Sequence, residues 1–195
     1  MFNKSLKVDF YLQDTLTVAK QLLGKILVIQ KNRILRSAKI VETEAYIGDH
    51  DPACHAYGKF TNRSSTLYEE GGTIYVYFIY GNHYCFNVVT EPKGKGCAVL
   101  IRAVEPVEGL DFMFKKRGKN IPLHNLTNGP GKMTQAMGID ESFNRKNLFT
   151  PSIYIFQPDY QSDFEIVTTT RIGINVGKEF PYRFYIKNNP FVSRK

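Results

Sequence analysis

The stretch KILVIQKNRILRSAKIVETEAY, residues 25–46, most constrains what this chain can fold into. Its β-branched residues read as two strands about a turn at Lys31-Asn32. A short helix should feed them. In DTLTVAKQLLGKILVI, Asp14 is placed to cap, Leu16, Ala19, Leu22 and Leu23 recur at helical spacing, and Gly24 supplies the stop. GTIYVYFIYGNHYCFNVVTE reads as a second hairpin turning at Gly81-Asn82, and GCAVLIRAVEP as a strand ending at Pro106. EPVEGLDFMFKKR and GPGKMTQAMGI read as helices, the latter with Pro130 in its first turn, and FEIVTTTRIGINV and YRFYIKNNPFVS as further strands. GKNIPLHNLTNGPG is the most linker-like segment, yet it is short and flanked by apolar sequence. With 195 residues, 43% of them hydrophobic, the chain can bury one sizeable core. The expectation is a single domain over residues 1–195 built on a largely antiparallel sheet.

Lys and Arg number 26 against 18 Asp and Glu, a formal net charge of +8. That balance favours an anionic partner, nucleic acid ahead of a membrane surface. Cys54, Cys85 and Cys97 show no CxxC spacing, and an odd count argues against a secreted disulfide framework. The opening MFNKSLKVDFYLQD lacks a signal-peptide core, and no apolar run approaches the roughly 20 residues of a membrane span. A cytoplasmic protein is expected. The four histidines lack metal-ligand spacing, and NGPGK lacks the strand, spacing and Ser/Thr of a phosphate loop. Neither a metal nor another cofactor is implied.

Glu42 and Glu44 are the unusual residues of the long β segment. Two apart on a strand, they share a face with Ile40 and Tyr46 and lie roughly 7 Å from one another. One strand does not readily carry both members of an acid–base pair to opposite sides of a scissile bond, so at most one is read as catalytic. For an isolated pair, solvated charges on an edge strand are the default. Arg102, charged within the apolar VLIRAVEP, calls for a carboxylate partner, either as a structural ion pair or in catalysis. Tyr75, Tyr77 and Tyr84 suit half-buried strands. Tyr80, directly before the turn, should project from the hairpin tip, where a ring could wedge between stacked bases.

VETEAY with a histidine nine residues after its tyrosine, TIYVYFIYGNHYCFN, VLIRAVEP, NGPGKMTQAM and RFYIKNNPFVS together resemble the alkyladenine (3-methyladenine) DNA glycosylases of the mammalian type. The blocks run in family order over almost the whole chain. The resemblance implies a mixed α/β (α+β) domain: a curved, mainly antiparallel sheet flanked by helices, with a protruding β-hairpin. It implies a monofunctional enzyme that flips a damaged purine from double-stranded DNA and hydrolyses its N-glycosidic bond, initiating base excision repair. It carries the general base onto Glu44, the water-holding partner onto Arg102, the stacking walls onto Tyr46 and Tyr77, a base contact onto His55, exclusion of guanine onto Asn87 and the intercalating wedge onto Tyr80. Thr61, Arg63 and Lys132 fall near backbone-contacting positions, although the His55–Thr61 spacing is one residue shorter than in the mammalian pattern. Monomeric state follows the same resemblance, and the short N-terminus, without a targeting extension, suits a bacterial cytoplasmic, nucleoid-associated enzyme. Two rival readings remain: a non-catalytic binder of damaged DNA or structured RNA, and a carbohydrate-directed hydrolase using both glutamates.

Tyr77 and Asn87 must face one pocket for that assignment. A simple two-residue turn at Gly81-Asn82 would put them on opposite faces, so a bulge or longer turn is predicted between them.

Overall fold

The computed structural model describes residues 2–79, 81–160 and 163–194. Two short helices open the chain, α1 (Val8–Tyr11) and α2 (Thr15–Gln21). Asp14 caps α2 by accepting from the Thr17 amide at 3.0 Å, and Gly24 turns the chain away at a φ of +81°. Strands β1 (Ile26–Lys31) and β2 (Ile34–Tyr46) follow, then β3 (Ile74–Ile79), β4 (His83–Thr90) and β5 (Cys97–Glu108). Helices α3 (Leu110–Arg117) and α4 (Pro130–Met137) precede β6 (Phe149–Thr150), β7 (Ile153–Phe156), β8 (Ile166–Thr169) and β9 (Arg183–Ile186). Every pairing among the described strands is antiparallel, and the sheet curls into a half-barrel in the order β3-β4-β5-β2-β1-β7-β6, with β9 joining β2 to β8.

Strand β2 is the axis of this sheet. Residues 37–46 pair with β5 on one edge, while the other edge takes β1 at residues 34–39 and then β9 at residues 42–44. Its glutamates therefore do not stand on a solvated edge. One face of β2 packs on α2, whose Ala19 carbonyl accepts from the Thr43 hydroxyl at 2.8 Å. The alternate residues Glu42, Glu44 and Tyr46 face the opposite way. The β2–β5 ladder is irregular there: Val41 and Arg102 both drop out of pairing, although the register is the same on either side. Irregularities of this kind re-aim side chains next to functional sites.

Several expected boundaries move. Lys31 pairs with Ile34, so the first hairpin turns at Asn32-Arg33, both with positive φ, rather than at Lys31-Asn32. β5 runs past Pro106 to Glu108; Pro106 lies where the register with β2 slips between Ser37 and Ala38, a place a residue without an N–H can occupy. Strands β6 and β7 went unread, being two and four residues long, too short for a periodic signal.

In the second hairpin Ile79 pairs with His83, leaving three residues in the loop. The longer turn predicted from the Tyr77–Asn87 conflict is therefore present. It sets Tyr75 opposite Asn87 and Tyr77 opposite Cys85, so all four side chains share one face. Tyr80 lies outside the described residues. Helix α4 lies against β4, with the Thr134 hydroxyl donating to the Tyr84 carbonyl at 3.0 Å, and so brings its first turn to the hairpin. Gly131 is required there, because a Cβ would come within 2.7 Å of the His83 ring. No described helix is long and apolar enough to cross a membrane.

Candidate active site

On the face presented by β3, β4 and the end of β2 the chain encloses a cavity of about 280 Å³. Its walls are Tyr46 from β2, Tyr75 and Tyr77 from β3, Cys85 and Asn87 from β4, and Leu100 and Arg102 from β5. His55 enters from the loop after β2, Pro130 and Gly131 from the start of α4, and Ile172 to Ile174 from the segment after β8. Antiparallel pairing gathers residues that are remote in sequence, and the aromatic walls give the cavity flat apolar faces.

Glu44 is fully buried and is held one layer behind this lining. Its Oε2 accepts from the Tyr46 hydroxyl at 2.8 Å and from Arg102 Nη1 at 3.2 Å. Its Oε1 accepts from the Ile172 amide at 2.8 Å, one donor on an oxygen that can take two. The three partners all line the cavity, so the carboxylate is oriented from the cavity side. Burial opposes charge on Arg102, but Glu44 and then Glu42 outweigh it and raise its pKa above the ordinary arginine value. Burial, reinforced by the neighbouring Glu44, pushes the Tyr46 hydroxyl well above the usual phenol range, so it serves as a donor.

Glu42 is not solvent-facing. It too is fully buried, accepting from Arg102 Nε at 3.1 Å, Arg183 Nε at 2.7 Å, the Ser193 amide at 2.7 Å and the Ser193 hydroxyl at 2.9 Å. Arg102 is thereby fixed between two carboxylates, as both an ion-pair residue and a wall of the cavity. This geometry removes the carbohydrate reading: the glutamates lie on one side of the cavity, bridged by one guanidinium, rather than facing each other across a groove.

His55 Nδ1 lies 3.0 Å from the Tyr75 hydroxyl, and its ring meets Tyr77 edge-on at 4.7 Å. Burial, with Arg63 and Lys59 adding repulsion, lowers its pKa to about 4 and keeps the ring neutral near pH 7. Asn87 is buried, and its Nδ2 donates to the Tyr75 carbonyl at 3.1 Å, which orients the amide.

Glu44, Arg102, Tyr46, His55, Tyr77 and Asn87 are thus brought together. Thr61 and Lys132 lie apart, whereas the Arg63 guanidinium sits over the Tyr77 ring at 4.9 Å. Thr61 exchanges capping hydrogen bonds with Ser64, its amide donating to the Ser64 hydroxyl at 2.9 Å and its own hydroxyl accepting from the Ser64 amide at 3.1 Å. Thr61 and Arg63 line an adjoining hollow that shares Ala53, Cys54 and His55 with the cavity. Lys132, in the first turn of α4, donates to Asn128 Oδ1 at 2.8 Å.

The sequence reading missed Ile172 and the Asp51–Arg171 pair behind it. Arg171 is buried, donates to both Asp51 carboxylate oxygens and to the Ala45 carbonyl, and stacks over Tyr46 at 4.7 Å. Little signal was present: Arg171 follows three threonines in FEIVTTTRIGINV and lacks the apolar run that surrounds Arg102.

Comparison with known proteins identifies the family. The family model described as methylpurine-DNA glycosylase matches residues 9–190. A protein of Clostridium perfringens (strain 13) is 48% identical over 200 residues, covering 96% of this chain and 98% of its own. One from Carboxydothermus hydrogenoformans is 50% identical over 188 residues, covering 96% and 97%, and one from Francisella tularensis (strain SCHU S4) is 49% identical over 184, covering 93% and 94%. All three bear the provisional name 3-methyladenine DNA glycosylase. The non-catalytic reading gives way accordingly: the chain belongs to the methylpurine-DNA glycosylase family and is a DNA glycosylase, a hydrolase of N-glycosyl compounds.

Proposed function

We infer that the enzyme flips an alkylated or deaminated purine out of double-stranded DNA into the tyrosine-walled cavity and hydrolyses its glycosidic bond with a water activated by Glu44. The observation that carries this reading is the Glu44 carboxylate, sealed from solvent and oriented by three cavity-lining donors, with one lone pair of Oε1 left, among the described residues, to accept a water proton. Arg102 Nη1 and the Ile172 amide hold the carboxylate. The same carboxylate would stabilise the oxocarbenium that develops as the base departs. No lysine stands at the base position, so water rather than an amine is the nucleophile and the DNA strand stays uncut.

Extrusion costs a few kcal/mol of stacking, which Tyr46 and Tyr77 would return through their ring faces. Such faces favour a cationic ring over a neutral one, so 3-methyladenine and 7-methylguanine gain attraction that adenine lacks. They also leave without protonation. Hypoxanthine and ethenoadenine complete the proposed range. Tyr80 fills the vacated stack, and Thr61, Arg63 and Lys132 support the backbone around it. The net charge of +8 adds salt-sensitive phosphate attraction suited to a monomer scanning the bacterial nucleoid.

Base release from duplex DNA carrying 3-methyladenine or hypoxanthine, by the parent and by Glu44→Gln, tests the reading. Release by the parent alone, with lesion binding kept in the variant, is the expected result. Equal release by both would remove Glu44 as the base.

A further inference from the structure

The Tyr75 hydroxyl has one proton, and its ring is almost completely buried. Among the described residues the acceptor in reach of that proton is His55 Nδ1, at 3.0 Å. The second neighbour of this hydroxyl is Arg63, whose guanidinium sits over the adjoining Tyr77 ring at 4.9 Å and whose charge acts against the burial-driven rise of the Tyr75 pKa. An arginine only donates. A cation on that side attracts the lone pairs of the Tyr75 oxygen, so the hydroxyl proton turns away from Arg63 and toward His55. Deprotonated at Nδ1, a neutral imidazole must carry its proton on Nε2. Nε2 has no partner among the described residues, and His55 lines the cavity.

We propose that Arg63 is a positioning residue of the base cavity: through Tyr75 it fixes His55 as the Nε2–H tautomer, a hydrogen-bond donor offered to an acceptor atom on the edge of the flipped purine. This role at the base wall is additional to the backbone contact proposed for it above. The donor's use rests on the purine cavity argued above; the tautomer does not. The lowered pKa of His55 agrees, because a protonated imidazole would leave Tyr75 without an acceptor.

The test is the histidine ring ¹⁵N spectrum of the free protein near pH 7, alongside base release. The parent should show His55 protonated on Nε2. Tyr75→Phe removes the donor to Nδ1 and should release the tautomer equilibrium. Arg63→Met should shift it in the same direction and slow base release about tenfold, the worth of one net hydrogen bond. Arg63→Lys, still a donor, should restore both. In the Tyr75→Phe background, Arg63→Met should change the tautomer no further. An Nδ1–H signal in the parent, or a tautomer indifferent to both substitutions, would overturn the proposal. A fixed Nε2–H tautomer in a parent that releases no base would support the relay and discard the purine-release reading alone.

Discussion

Asp51 and Arg171, 120 residues apart in the chain, form an ion pair with no solvent exposure on either side chain. Arg171 Nη2 donates to Asp51 Oδ1 at 2.7 Å, and the other carboxylate oxygen takes Nη1. Asp51 also turns the loop ahead of His55 by accepting from the Ala53 amide at 3.0 Å. Arg171 directly precedes Ile172, whose amide holds Glu44. One pair thus ties the loop bearing His55 to the segment that orients the carboxylate.

Removing one partner of such a pair leaves the other charge buried. Asp51→Ala is therefore expected to destabilise the fold by about 3–5 kcal/mol. Activity should fall at temperatures where the variant is still folded, because Ile172 loses its anchor. Urea unfolding together with base release below the transition checks both; an unchanged midpoint would show that the clamp contributes nothing to stability.

The two glutamates should separate stability from turnover. Glu42 compensates Arg102 and Arg183 together, whereas Glu44 shares Arg102 and two uncharged donors. Glu42→Ala is expected to cost about 3–5 kcal/mol through two under-compensated guanidiniums. Glu44→Gln keeps the volume and should cost less stability, yet lower turnover by about 10²–10⁴. Matched melts and single-turnover release for the two variants decide this; a reversed order would exchange the roles.

What could be read in the sequence was local. The Asp14 cap, the β segments around residues 26–46 and the proline start of α4 each depend on neighbours within a few residues, and each formed as expected. The conflict between Tyr77 and Asn87 was also legible, because pairing parity in a hairpin depends on loop length alone. The fate of Glu42 was not. Its partners Arg183 and Ser193 lie 141 and 151 residues away, and no periodicity reports that β9 returns to β2. The position of Ile172 depends on the same kind of non-local pairing.

Asn87 offers a test of specificity. Its amide is oriented by the Tyr75 carbonyl and lines the cavity, where it would crowd the exocyclic amine of guanine. Asn87→Ser shortens the side chain and should raise release of 7-methylguanine relative to 3-methyladenine about tenfold, within the range a small change in pocket volume supplies. Competitive release from DNA holding both lesions measures the ratio; an unaltered ratio would take guanine exclusion away from Asn87.

Acid should weaken the fold through His55. Its pKa falls from 6.5 to about 4 on folding, by burial first and then by Arg63 and Lys59. Between these values the unfolded chain binds the proton and the folded one does not, so stability rises with pH across the window. The contribution is complete above about pH 6.5 and is lost as the pH drops toward 4, at about 1.4 kcal/mol per unit and no more than about 3.5 kcal/mol in all. Urea midpoints at pH 7, 5.5 and 4.5 for the parent and for His55→Gln isolate this contribution. The variant is expected to show a shallower loss over this interval, and parallel curves would mean that His55 takes up its proton equally well in the folded protein.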